Sequence, residues 1–491
     1  MKQSHHSLQS ASEGSTFAAE PEPTESKRFE GTMEESLKQH SASSIQVGVL
    51  VEREVGKLTR HCRMLFEGEA VVEEEEEAKY EDKEDGLPDE VPLFDRSEIM
   101  AWTLLGNGAF SEVYQIWGFR IEPTGNAVQD QAREQVKNTA MDEEKRCNYV
   151  IKHLRSDLLG PDKSRFVHAA SDLVMEALFL SKLDHPNIIK LRGTSRGIDS
   201  FGDGGHDGFF LILDRLDCTL SDKIGHWARH NSCRRKVYSR NLYDYHEKID
   251  IALQIARGLD YLHDRDIVFR DLKPDNIGIQ NRVVKIFDFG LCRELPEACP
   301  LENKLFHMSG VGTRRYMAPE IFLTQHYNLK VDVYSFAIVL HSMLSLVRPF
   351  EKYNAQLHTL LVCKEGVRPT IPHEWPAELR DLLRYGWAHR PSDRPTMKEA
   401  RQTLERLAQR VEAEGIPPSA KNSDPLLDTT TPIKRSFMDR IHAHPWKRKV
   451  GNVLRKMETQ LIHGSISSYH LRQTKPREPA QYRKHLRSSY L

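Results

Sequence analysis

The order in which two hydrophobic textures follow one another constrains this chain more than any single motif. From Trp102 to about residue 213, short apolar runs rich in β-branched and aromatic residues recur: "WTLLGNGAFSEVYQIWGF", "NYVIKHL" and "FFLILDRL". Runs of that length and composition predict strands. Between them, "SDLVMEALFLSKL" has helical spacing behind a Ser-Asp start. Beyond about residue 245 the spacing is helical: "YHEKIDIALQIARGLDYLH", "VDVYSFAIVLHSMLSL" and "AELRDLLRYGW". A small strand-rich part followed by a larger helical part predicts an α+β fold in two lobes, with a cleft between them as the ligand site.

The flanks differ in composition. Residues 1–94 are rich in Ser, Glu and His, with the acidic block "EGEAVVEEEEEAKYEDKEDGLPDE". Such a segment buries too little apolar area to offset its ordering entropy and is expected to be disordered. One exception inside it is "IQVGVLVEREVGKLTRHCRMLF", whose apolar positions support a short helix. Residues 411–491 read as a linker, "PPSAKNSDPLLDTTTP", and a basic tail containing "HPWKRKVGNVLRK". The tail suits an acidic partner, or the acidic N-terminal block of the same chain. No aromatic-bearing RNA-binding signature or finger spacing accompanies it, so nucleic acid is not expected. A polar insertion, about Gly125 to Arg146, and a basic one around "ARHNSCRRKVYSR" are expected to be surface loops.

The seven cysteines, Cys62, Cys147, Cys218, Cys233, Cys292, Cys299 and Cys363, show no C-x-x-C pair, so neither a zinc cage nor a disulfide framework is expected. No apolar run approaches the ~20 residues that span a bilayer. The start, "MKQSHHSLQSASEG", has no apolar core of a secretory signal. The cytoplasm, or the nucleus, is the expected compartment.

Charge is concentrated in "FRDLKPDNIGI", which begins at Phe269 between apolar flanks. Buried charge is costly unless paired or put to use. Upstream, Gly106 and Gly108 in "LGNGAFSEVY" allow close backbone approach to a phosphate, or simply make a hairpin turn. Lys152 in the strand-like "VIKHL" and Glu176 in the helical "LVMEALFL" are natural ion-pair partners. Asp288 follows the strand-like "VKIF". Asn276 and Asp288 could hold magnesium through oxygen, leaving Asp271 to accept a proton from an incoming hydroxyl. Asp275 follows Pro274 and reads as a turn cap.

With "DFG" at 288–290 and "APE" at 318–320, this ordered set resembles the eukaryotic protein kinase family over roughly residues 98–410. The resemblance implies a two-lobed kinase fold: a small β-rich N-lobe with one regulatory helix, about 98–213, and a larger helical C-lobe, about 217–410. It implies a loop over the nucleotide formed by Leu105, Gly106, Asn107, Gly108, Ala109, Phe110, Ser111 and Val113. Lys152 then holds the α- and β-phosphates of ATP and pairs with Glu176. Leu213 backs the adenine pocket, and Asp214 to Leu216 offer backbone groups to the base. Asp271 orients and deprotonates the substrate hydroxyl, Lys273 neutralises the transferred phosphoryl, and Asn276 and Asp288 bind Mg2+. Asp332 is similar to the aspartate that anchors the catalytic loop, and Arg394 to the partner of Glu320.

Two positions depart from the family pattern. Ser111 replaces the third loop glycine, and Phe269 replaces the histidine that precedes the catalytic-loop arginine, keeping volume and losing a hydrogen bond. Arg270 is expected to meet a phosphate on Ser309, and Thr313 to bond Asp271 and Lys273. Cys292 reads as a small buried residue rather than a reactive thiol. Lys273 favours Ser/Thr protein substrates, and "GTRRYMAPE", "DVYSFAIVL" and "HRPSDRPTM" look most like the tyrosine-kinase-like group of serine/threonine kinases. The rival reading is a pseudokinase scaffold that acts through its surfaces.

Overall fold

The computed structural model describes residues 49–55, 57, 91–143, 146–159, 163–196, 205–232, 238–295 and 312–414. Six strands form the N-lobe sheet: β1 (Leu93–Phe94), β2 (Ile99–Asn107), β3 (Ser111–Phe119), β4 (Tyr149–Leu154), β5 (Leu191–Ser195) and β6 (Phe210–Asp214). They lie in the order β1-β5-β6-β4-β3-β2, with only β1 and β5 parallel.

Both faces of this sheet are covered, as alternation along the strands requires. Tyr149, Ile151, Phe210 and Ile212 enter one apolar cluster with Val136 and Ala140. Their neighbours Val150, Leu154, Leu211 and Leu213 enter the main core with Leu173, Ala177 and Leu180. The first cluster is closed by α1 (Ala127–Asn138), the second by α2 (Lys163–Lys182).

The polar insertion is therefore not a surface loop. Asn126 caps α1 by accepting from the Val128 and Gln129 backbone N–H groups, at 3.1 and 3.3 Å. Asp130 lies in its first turn, where the helix dipole favours an acid. Arg133, fully buried, pairs with Glu98 and Asp130 and lies over the Phe94 ring. A composition count hides this, because the buried part of the helix is a paired charge plus Val136.

Within residues 1–94 the short helix expected as the exception is present, and the expected disorder fails at the end of the segment. Residues 49–55 are helical, with Val51 and Val55 buried in the main core. Leu93–Phe94 complete the sheet edge. The rest of 1–90, the centre of the basic insertion (233–237) and the tail from 415 lie outside the described residues.

The C-lobe is helical: α3 (Leu220–Ser232), α4 (Tyr238–His263), α5 (Pro319–Phe322), α6 (Lys330–Ser345), α7 (Ala377–Gly386) and α8 (Met397–Glu414). A three-stranded sheet ordered β10-β9-β7 lies beneath the cleft, with β7 (Cys218–Thr219), β9 (Ile277–Gln280) and β10 (Val283–Ile286). A short pair joins β8 (Ile267–Val268) to β11 (Arg293–Glu294). Helix α6 is almost wholly buried and forms the spine of this lobe. Among the described residues no helix is long and apolar enough to cross a membrane.

Candidate active site

The glycine-containing turn joins β2 to β3. The Gly108 N–H donates to Ser111 O at 2.8 Å, and Gly106 pairs with Val113. Leu105 and Phe110 are exposed, so the hairpin presents backbone and edges outward rather than a packed core. It is tied to the end of β4: the Arg155 N–H donates to Phe110 O at 3.0 Å, and its guanidinium donates to Asn107 Oδ1 and Gly108 O. Asn107, Ala109 and Ser111 thus sit on a hairpin fixed at one point, next to the strand that carries Lys152.

Lys152 is buried on β4 and reaches two carboxylates, Glu176 Oε2 at 2.6 Å and Asp288 Oδ1 at 2.9 Å. Burial alone would lower its ammonium, but Asp288 and Glu176 hold it above its ordinary value. Asp288 is correspondingly held below the usual carboxylate range by Lys152. Burial pushes Glu176 up, with Lys152 pulling against it. One cation thus ties together β4, helix α2 and the Asp288 turn. Asp288 itself is left-handed, with φ 73°, a sparsely populated state for a non-glycine residue and a mark of a site under constraint.

Asp271, Lys273 and Asn276, on the loop after β8, converge on one another. Lys273 Nζ is 2.5 Å from Asp271 Oδ2. Asn276 Nδ2 donates to Asp271 O and Oδ2, both at 3.1 Å. That fixes the Asn276 amide and leaves its Oδ1 as the atom available to a cation. The Thr313 backbone N–H donates to Asp271 Oδ1 at 2.7 Å. Thr313 thus meets Asp271 through its main chain, while among the described residues no hydrogen bond joins it to Lys273. Asp275 is exposed on the Pro274–Asn276 turn.

Arg270 is buried with φ 73°. Its guanidinium donates to Leu291 O and to Tyr327 Oη. Its backbone N–H and that of Phe269 donate to the two Asp332 oxygens at 2.9 and 2.8 Å, and His263 Nε2 lies 3.0 Å from Asp332 Oδ2. Arg394 holds Glu320 with two contacts, 2.5 and 2.9 Å. Ser309 lies outside the described residues. Cys292 is buried, and burial pushes its thiol well up, away from reactivity.

At the back of the cleft Leu213 is buried on β6. The Asp214 carboxylate turns away to Arg192, 2.7 Å distant. Among the described residues no hydrogen bond engages the Leu216 backbone N–H or C=O.

A family model described as "Protein kinase domain" matches residues 135–404, more than half of the chain. The chain belongs to the protein kinase family. It is 34% identical over 226 residues to serine/threonine-protein kinase Nek11 of Homo sapiens, covering 46% of this chain and 32% of that protein. It is 33% identical over 186 residues to serine/threonine-protein kinase STY46 of Arabidopsis thaliana, covering 36% and 31%. It is 27% identical over 326 residues to the tyrosine-protein kinase transforming protein ros of UR2 avian sarcoma virus, covering 65% and 70%. The chain spans 32% or less of the length of the first relatives it matches.

The matched residues begin inside α1 and so do not include this kinase-family chain's glycine hairpin, whose geometry stands on its own. Three contributors escaped the sequence reading. Arg155 anchors the hairpin; its signal was its place just beyond strand β4. His263 closes the Asp332 anchor from the last turn of α4, with nothing in the sequence to mark it. Asp172, one helical turn before Glu176, packs on the Asp288–Gly290 turn: a Cβ on Gly290 would come within 2.9 Å of Asp172 O. Burial pushes the Asp172 carboxyl up to about 6 against the pull of Arg293 and Arg270.

Proposed function

We propose that this chain is a protein serine/threonine kinase that transfers the γ-phosphoryl group of ATP to hydroxyls of protein substrates. One observation carries the reading: Lys152 bridges Glu176 and Asp288 while Asp271, Lys273 and Asn276 share hydrogen bonds, a complete phosphoryl-transfer set. The donor set fits Mg2+, which binds few protein oxygens: Asp288 and the Asn276 amide oxygen would hold it, and it would neutralise phosphate charge. Lys152 draws the α- and β-phosphates under the hairpin, whose backbone N–H groups and glycines allow close approach. Leu216 offers its free backbone groups to the adenine.

Asp271 orients the substrate hydroxyl and takes its proton as the oxygen bonds to the γ-phosphorus. The bond from that phosphorus to the ADP oxygen breaks, and ADP leaves with the electron pair. Lys273, beside Asp271, meets the charge on the moving phosphoryl. A hydroxyl acceptor of Ser/Thr type is supported by Lys273 two residues past Asp271 and by the names of several relatives. Phosphorylation of Ser309 would add a partner for Arg270 and order the activation segment.

The test is phosphate incorporation from labelled ATP with Mg2+, comparing wild type with Asp271→Asn on a basic protein and on itself. Phosphoserine or phosphothreonine from wild type alone supports the reading. Label on tyrosine overturns the acceptor class, and no transfer by either protein favours the scaffold reading.

A further inference from the structure

The turn after Thr313 and the loop after α6 together carry three cations that no carboxylate claims among the described residues. Elsewhere in the C-lobe, Arg394 pairs with Glu320, Arg384 with Asp381, Arg401 with Asp260 and Glu405, and Arg410 with Glu378. Among the described residues Arg314, Arg315 and Arg348 form no ion pair. Arg314 has one long bond, to Tyr353 O at 3.4 Å, and Arg315 Nε is buried with no acceptor. Arg348 is exposed.

Their position is fixed by the catalytic carboxylate. The Thr313 N–H donates to Asp271 Oδ1, and Gly312 (φ +122°) lies so close that a Cβ there would be 2.7 Å from Arg270 O. Tyr316 and Met317 N–H groups both return to Thr313 O, at 2.9 and 3.1 Å, so residues 313–317 form a tight turn beside Asp271. The Arg314 guanidinium reaches Tyr353 O at 3.4 Å, on the loop after α6 that also carries Arg348, and Ser335 of α6 donates to Tyr316 O at 2.8 Å, which sets this loop and the turn side by side. Asp275 is the acidic group that acts on Tyr316. Three arginines against Asp275 and the exposed Glu351 on the Arg348 loop leave an excess of positive charge.

We propose that Arg314, Arg315 and Arg348 select protein substrates carrying an anionic side chain, carboxylate or phosphate, within a few residues of the target hydroxyl. The inference rests on the kinase reading, since a hydroxyl delivered to Asp271 brings its flanking residues past this turn. Unpaired guanidinium groups suit either anion, each taking two parallel N–H bonds, and phosphate more strongly because it carries more charge and a third acceptor oxygen. An exposed contact of this kind also weakens with added salt.

The experiment uses the full chain and three serine peptides that differ at one flanking position scanned on both sides: alanine, glutamate and phosphoserine. Fluorescence anisotropy gives Kd, and labelled ATP gives kcat/KM. Wild type should favour the best-placed anionic peptide about tenfold over alanine, a factor worth ~1.4 kcal/mol. The gain should reside in Kd and KM rather than kcat, and it should shrink as salt is raised. Phosphoserine exceeding glutamate identifies a primed substrate, and the reverse identifies an acidic one. Arg348→Glu, at an exposed position, should shrink or reverse the ratio and favour a lysine-flanked peptide. Equal Kd for alanine and anionic peptides in wild type overturns the proposal, as does a ratio unmoved by Arg348→Glu. If no peptide is phosphorylated, the kinase reading fails, while anisotropy still decides whether the surface selects anions.

Discussion

Asp332→Asn is the substitution that most directly tests how the active site is held. The Asp332 carboxylate is fully buried in α6 and faces three nitrogens: Phe269 N at 2.8 Å, Arg270 N at 2.9 Å and His263 Nε2 at 3.0 Å. Only an acceptor suits both oxygens. The asparagine can place its carbonyl at the Oδ2 position and keep Phe269 and His263, but its amide then confronts the Arg270 N–H, donor against donor. The loss is one hydrogen bond to a charged acceptor plus one buried N–H left unsatisfied, together roughly 3–5 kcal/mol. That is a large fraction of an ordinary domain's stability, yet leaves the protein folded at room temperature. Arg270 is the residue released, and its left-handed φ of 73° persists only while the surroundings impose it. Asp271 follows directly, so relaxation displaces the carboxylate proposed to take the substrate proton, and misplacement by ~1 Å costs on the order of a hundredfold in rate. Thermal unfolding should show a midpoint lowered by about 6–10 °C, and steady-state kinetics with labelled ATP should show kcat falling well before substrate KM. A variant within ~1 kcal/mol of wild type with kcat changed less than about threefold would refute the claim that this anchor sets the loop.

Lys152→Met should lower phosphoryl transfer by about 10²–10³-fold and also destabilise the fold, because Glu176 is left buried without its cation; adding Glu176→Gln should restore the melting temperature but not the activity. Glu320→Ala should cost about 3–5 kcal/mol, measured by denaturant titration, because Arg394 is fully buried; replacing both partners with apolar residues should recover most of it, and a double variant as unstable as the single one would count against the pairing. Asp172→Asn should stabilise in a pH-dependent way. The folded carboxyl, raised to about 6 from an ordinary 3.8, binds more protons than the unfolded one between those values. Wild type therefore loses stability as pH rises through that window, by at most ~3 kcal/mol. The melting-temperature gap between variant and wild type should widen from about pH 4 to pH 6 and stay level above; a gap constant over that range would show that Asp172 titrates normally.

What the sequence disclosed and what it withheld divide along a physical line. The Lys152–Glu176 pair was legible because a charge inside an apolar strand and another inside an apolar helix each demand a partner, and the chain offers few. The Asp332 and Arg394 anchors were legible from the family resemblance alone; nothing local tells that Asp332 will accept from two main-chain groups more than sixty residues upstream. The α1 insertion was misread because its packing relies on Arg133, whose burial depends on Glu98 and Asp130 meeting it in three dimensions. A motif places Thr313 beside Asp271 but does not say which atom makes the contact; it is the backbone N–H. Asp172 carried no signal at all: its environment is made by the Gly290 turn, more than a hundred residues further along the chain.

The exchange of a polar ring for Phe269 shows how these levels fit together. Phe269 meets Phe289 edge to face, with ring centroids 5.2 Å apart at 77°, a favourable arrangement for two aromatic quadrupoles. Both rings are buried, so a hydrogen-bonding group at 269 would need a partner among apolar neighbours. The polar duties are met from other directions: the Phe269 N–H by Asp332, the Phe269 carbonyl by the Cys292 thiol at 3.7 Å, and the remaining Asp332 lone pair by His263. The side chain at 269 is thereby left to apolar packing alone. The loop geometry depends on main-chain bonds to one buried carboxylate, and the Asp288 turn depends on an aromatic contact plus the Lys152 ion pair. Those two supports are separable, which is why Asp332→Asn should disturb Asp271 while leaving the Lys152–Asp288 pair in place.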